Sequence, residues 1–278
     1  MTLQPIKKGL RAVGQAPSAQ DLNSTKPRIF VVSMTVKDEL KNLLRKVKSA
    51  EDVEKLRPEI KELLSKLSPA DLSLAEQELM AEGISVEEIR KLCEPHIELL
   101  REGLIKRGLT LDPSHPIHIL REEHDIILQK LEELRRILEK PAEDYNEDEL
   151  NKLDDIAHHL IEAESHHKRE EEALFPELEQ RGVRGPPKIM RMEHEELRAH
   201  KKALKELLEK SKNLSYKDFL SQLREHGGYI VQNLNSHIFK ENNILYPTAL
   251  ETIKEEDAWT RIRKKFDEIG YCCFTPRR

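Results

Sequence analysis

Cysteine is scarce in this chain: Cys93, Cys272 and Cys273 among 278 residues. Three scattered thiols cannot build a disulfide framework or a cysteine-based zinc site, and a reducing cytoplasm is the compartment they fit. Long apolar runs are missing too, and nothing approaches the roughly 20 residues of a membrane-spanning helix, which argues against an integral membrane protein. The first residues lack the unbroken apolar core and small-residue cleavage site of a secretory signal. There is no excess of positive charge: the net charge is −5, whereas a general nucleic-acid binder needs a basic face. Aromatics make up only 4%. What is present is charge, 36% of all residues, threaded by Leu and Ile at helical spacing almost throughout. That combination predicts solvated amphipathic helices and an all-α fold.

Punctuation divides the chain. Residues 1–34 show no period and read as a leader. Residues 35–108 read as a smaller N-terminal helical domain. Ser49 and Ser68 are its candidate N-caps, with Pro69 at a first helical position, and Ser85 with Glu88 forms a capping box just after a terminating Gly83. A linker rich in proline follows, from Gly108 to Pro116. Four long helical stretches are then expected, at about 117–140, 146–180, 188–212 and 216–252. Short connections between them favour antiparallel neighbours, hence an up-down four-helix bundle over residues 115–253. Residues 254–278 hold a short helix and a tail.

Eleven of the twelve histidines lie between His115 and His237. Within that span the chain repeats itself. His166-x3-Glu170 is followed by Leu174-Phe175-Pro176, and His237-x3-Glu241 by Leu245-Tyr246-Pro247. The preceding helices match as well, Arg121-x-Glu123-His124 against Arg191-x-Glu193-His194. Residues four apart share a helix face, so each His–Glu pair can reach one ion. The separations His124 to His166 and His194 to His237 are 42 and 43 residues. At about 1.5 Å per residue, that is enough for two antiparallel helices and a turn, returning the second histidine to the depth of the first. His124 falls on the apolar stripe Ile117, Leu120, Ile127, Leu131, Leu134 and Leu138, and so points inward. A two-fold set of four histidines and two glutamates suits two iron or manganese ions, with bridging carboxylates and open positions for a small molecule.

His167 and Glu171 form a rival i, i+4 pair. The proline register favours His166 and Glu170, while the stripe Leu153, Ile156, Leu160 and Leu174 points closer to the rival. Glu162 and Glu193 are candidates to orient imidazoles from outside the ligand set. The remaining histidines read as ordinary helix residues: His96 beside Cys93, His115 and His118 at a helix entrance, His158 and His159 on a flank, His200 and His226 on polar faces.

At HHKREEEALFPELE, MRMEHEELR and HIFKENNILYPTAL the chain resembles the haemerythrin-like, HHE cation-binding family, from about His115 to Leu250. The resemblance implies a non-haem di-iron centre with a bridging oxo or hydroxo group. Its ligand pattern is most similar to that of the di-iron proteins that repair iron–sulfur clusters, which carries over to His124, His166, Glu170, His194, His237 and Glu241. Oxygen-carrying haemerythrins have a further histidine where this chain has Arg198, which argues against reversible oxygen carriage. The repair proteins have an N-terminal cysteine pair, whereas Tyr271-Cys272-Cys273 stands at the opposite end here. The segment 35–108 resembles an uncharacterised helical domain found ahead of haemerythrin-like domains, with docking of a protein partner or dimerisation as its plain role. The implied ligand is dioxygen or nitric oxide, with no nucleic acid and no membrane. The rival readings are a di-iron peroxidase or oxidase, and a metal-free helical scaffold.

Overall fold

The computed structural model describes residues 68–85, 111–141 and 145–275, together with isolated positions between 38 and 66. The expectations at residues 1–34, Ser49, Glu88, Cys93 and His96 lie outside the described residues. Among those described, every regular element is helical.

Helix α1 spans Pro69–Ala81. Its start is written in the sequence: the Ser68 hydroxyl accepts from the Asp71 N–H, the Asp71 carboxylate accepts from the Ser68 N–H, and Pro69 presets the first turn. Gly83 stops it at φ +98°, a left-handed conformation that costs glycine little.

Four antiparallel arms follow. The first is α2, Pro116–Leu138, opened by His115, whose Nδ1 accepts from the Ile117 N–H. The second runs through α3, Glu147–Glu162, α4, Glu164–Arg169, a π-helical turn at Glu170–Leu174, and α5, Phe175–Gln180. The third is α6, Gly185–Glu209, whose early prolines occupy first-turn positions where no N–H partner is needed. The fourth is α7, Tyr216–Lys240, a second π-helical turn at Glu241–Leu245, and α8, Tyr246–Thr252. Helix α9, Glu256–Ile269, completes the fold.

The second and fourth arms were expected as plain helices, and each contains a π turn. In both, a residue's N–H reaches five positions back, Phe175 to the Glu170 carbonyl and Tyr246 to the Glu241 carbonyl. Pro176 and Pro247 come next. Proline has no N–H and crowds the carbonyl four residues before it, so a regular α-turn is disfavoured there and a wider turn accommodates it. Both wide turns begin on the acidic residue of the repeat.

The core is two apolar clusters separated by a polar layer. One cluster gathers Ile117, Leu120, Leu174, Phe175, Met190, Leu245 and Tyr246, covered by Ala75 and Leu79 of α1 and by Trp259, Ile262 and Phe266 of α9. The other holds Ile127, Leu131, Leu160, Leu197, Leu234 and Ile238. In each arm the chain passes from one cluster to the other through the histidine of the repeat. Helix α1 is also tied to the bundle by polar contacts. The Gln77 side-chain oxygen accepts from the Arg184 and Gly185 N–H groups at 2.7 and 3.0 Å. A Cβ on Gly185 would stand 3.1–3.2 Å from Met80 and Gln77, so the close approach relies on glycine. No helix among the described residues is long and apolar enough to cross a membrane.

Candidate metal centre

The polar layer brings all six residues of the repeat together. His124, His166, Glu170, His194, His237 and Glu241 are each at most 1% exposed. Their imidazoles meet in pairs: His124 Nε2 lies 3.1 Å from His166 Nε2, and His194 Nε2 lies 3.0 Å from His237 Nε2. Glu241 spans the pairs, with Oε2 at 3.0 Å from His124 Nε2 and Oε1 at 2.8 Å from His237 Nε2. Glu170 lies between them too, its Oε2 at 3.7 Å from His166 Nε2 and 3.5 Å from His194 Nε2.

Each imidazole is held from behind through Nδ1. Glu123 takes His166 at 2.7 Å and Glu193 takes His237 at 2.8 Å. Glu171 takes His194 at 2.7 Å, and the Asn242 side-chain oxygen takes His124 at 3.1 Å. An Nδ1–H donated outward leaves the Nε2 lone pair facing inward, the tautomer a metal ligand needs. These supports are themselves braced. Arg169 Nη2 donates to both Glu123 oxygens at 2.7 Å, and Lys240 pairs with Glu193. Arg198 Nη2 stands 3.4 Å from Glu171 while its Nε donates to Glu164. The C-terminal tail closes over the first of them: Tyr271 lies 4.9 Å from the Arg169 guanidinium, and the Thr275 hydroxyl donates to Glu123.

Electrostatics follow from burial and these partners. Burial opposes the charge on Glu123 and Glu193, but His166 with Arg169, and His237 with Lys240, outweigh it and hold both carboxyls down at about 2. Burial and the neighbouring Glu241 push Glu170 well above the carboxylate range. Glu241 goes the other way, because the surrounding imidazoles, His237 foremost, overcome its burial. Burial works against a charged His237, yet Glu241 and Glu193 lift it to about 9. His166 falls to about 4 because burial dominates.

Residues 115–249 match the family described as Hemerythrin HHE cation binding domain. The bundle is a haemerythrin-like domain. Residues 40–106 match a family of unknown function, DUF438, so the two lie in the order the sequence motifs implied. A comparison with curated proteins finds no match.

The haemerythrin-like domain fits a metal on the chemistry of its donors. Glu170 Oε2 and both oxygens of Glu241 are buried without a hydrogen-bond partner, although imidazole nitrogens lie as near as 2.8 Å. Lone-pair donors aimed at a common point produce that pattern, and leaving buried carboxylate oxygens unmatched is otherwise costly. The clusters make this a metal-binding domain, with a donor set suited to iron.

The rival pair behaves differently. Glu171 turns outward to the back of His194. His167 is buried and stacks on His194, centroids 3.9 Å apart and planes 6° from parallel. Its nitrogen also falls within 4.8 Å of donors on His194 and His237. In-plane lone pairs of stacked rings run side by side, however, and do not converge on one ion. Of the two supporting carboxylates expected, Glu193 holds His237 rather than the adjacent His194, and His166 is held by Glu123, not Glu162. The repeat already contained this signal, since a glutamate precedes the lone histidine in both halves. Glu171 and Asn242, one residue beyond each inward glutamate, were equally in register. The other histidines stand apart from the centre: His118 pairs with Glu122 at 3.1 Å, and His200 and His226 face one another at 3.1 Å.

Proposed function

We propose that the haemerythrin-like domain holds two iron ions, one on His124 and His166 and the other on His194 and His237, bridged by Glu170 and Glu241. In this reading it binds dioxygen or nitric oxide, as a sensor or in the protection and repair of iron–sulfur centres. The observation that carries it is the Glu241 carboxylate, whose two oxygens face one imidazole pair each. When bound, such a pair of ions supplies electrons and Lewis acidity to a small molecule. The chain does the rest. Glu123 and Glu193 fix tautomer and ring direction, and two apolar cores keep bulk water from the donors.

Anaerobic reconstitution with ferrous iron is expected to give about two irons per chain. His166→Ala with His237→Ala removes one donor from each end and should abolish loading while far-UV helicity persists. A wild-type chain holding only stray metal, or a double variant that loads normally, overturns the reading. Stoichiometric uptake of nitric oxide or dioxygen supports a binding role. Sustained consumption of peroxide with a reductant favours a peroxidase instead.

A further inference from the structure

Among the positions at which the duplicated halves differ, one sets an oxygen atom directly beside the imidazole nitrogens. Nine residues after the ligand-type histidine stands Phe175 in one half and Tyr246 in the other. Both are fully buried. They occupy equivalent places: Tyr246 stacks on His124, centroids 5.6 Å apart and planes 10° from parallel, and Phe175 stacks on His194 at 6.0 Å and 19°. The difference is one oxygen atom. Tyr246 Oη lies 3.4 Å from both His124 Nε2 and His166 Nε2, and it donates to Glu170 Oε1 at 2.8 Å.

Donors about 2.1 Å from one ion and at right angles sit about 3 Å apart. The phenol oxygen therefore stands beside the two imidazole nitrogens at nearly the spacing of a neighbouring ligand. The Glu170 carboxylate fixes it there, because a buried hydroxyl does not readily abandon its acceptor. At the opposite end the corresponding ring carries no oxygen. We infer that Tyr246 fills the small-ligand position at the His124–His166 end, so that a diatomic molecule binds only at the His194–His237 end, beside Phe175. This rests on the dinuclear reading above. It makes the two ends unequal although each has two imidazoles, and it assigns the inequality to one hydroxyl.

The test is anaerobic titration of the ferrous protein with nitric oxide, with the iron nitrosyl signal counted by electron paramagnetic resonance and Mössbauer spectroscopy. Nitric oxide is expressed per two irons, and iron is measured for every sample. The wild-type chain is expected to saturate at one nitric oxide per pair. Tyr246→Phe opens the second position and should saturate at two. Phe175→Tyr places a hydroxyl at the reactive end and should weaken binding at least about tenfold. Should Phe175→Tyr fail to fold, Tyr246→Phe still decides. Two equal sites in the wild type, or a single site in Tyr246→Phe, overturns the inference while leaving the dinuclear centre standing. A wild-type chain that takes up fewer than two irons removes the centre itself, and this inference with it.

Discussion

Removing the charge of Glu123 tests whether the support behind His166 is electrostatic. The carboxylate is fully buried, accepts from His166 Nδ1, and faces Arg169, also fully buried, through two 2.7 Å contacts. Glu123→Gln keeps the shape and leaves an oxygen for His166, but strands the guanidinium. Two routes give the cost. Holding a carboxyl at about 2 instead of 4.5 corresponds to roughly 3 kcal/mol. Removing one partner of a buried ion pair costs about 3–5 kcal/mol. The expected loss is therefore about 3 kcal/mol, a large share of a typical stability of about 5–15 kcal/mol. The sign with pH follows. Because the folded-state value is depressed, the contribution is complete above about 4.5 and disappears as pH falls toward 2. Urea denaturation of the metal-free protein between pH 7 and pH 3 is the assay. Glu123→Gln should be weaker at pH 7 and lose less stability on acidification than the wild type. Glu123→Gln with Arg169→Met removes both charges and should recover most of the loss. A single variant within about 1 kcal/mol of wild type, or a double variant no better than the single, refutes the argument.

Metal uptake should release protons, since burial and Glu241 push Glu170 well above the carboxylate range and Glu241 with Glu193 lifts His237 to about 9. Apparent affinity should accordingly strengthen as pH rises toward about 9, which proton release in weak buffer and chelator competition both measure. Adjacent glycines in α7 should respond oppositely. A Cβ on Gly227 would lie 3.0–3.1 Å from the Leu138 methyls, so Gly227→Val is expected to cost about 1–3 kcal/mol. Gly228 has nothing within 4 Å, and Gly228→Ala should gain about 0.5–1 kcal/mol in the same urea titration.

Local rules made much of this protein legible in one dimension. Ser68-Pro69, His115-Pro116 and Gly83 mark helix ends because capping is settled within a few residues. The apolar stripe of α2 turned His124 inward because helical periodicity needs no partner to be read. The repeat then paired His124 with His166 and His194 with His237, since helix rise and chain length alone bring them to one depth. Tertiary structure decided what passes between arms. That Glu193 serves His237 and Glu123 serves His166 depends on which neighbour each arm packs against. Glu170 lies between the two imidazole pairs and Glu171 behind His194, a choice on which the proline register and the apolar stripe had pointed to different residues. The tail's contact with Glu123 through Thr275 joins positions 152 residues apart. Hydrogen bonding within a helix is local and repeats with the sequence; contacts between helices depend on crossing geometry, which no single stretch of sequence encodes.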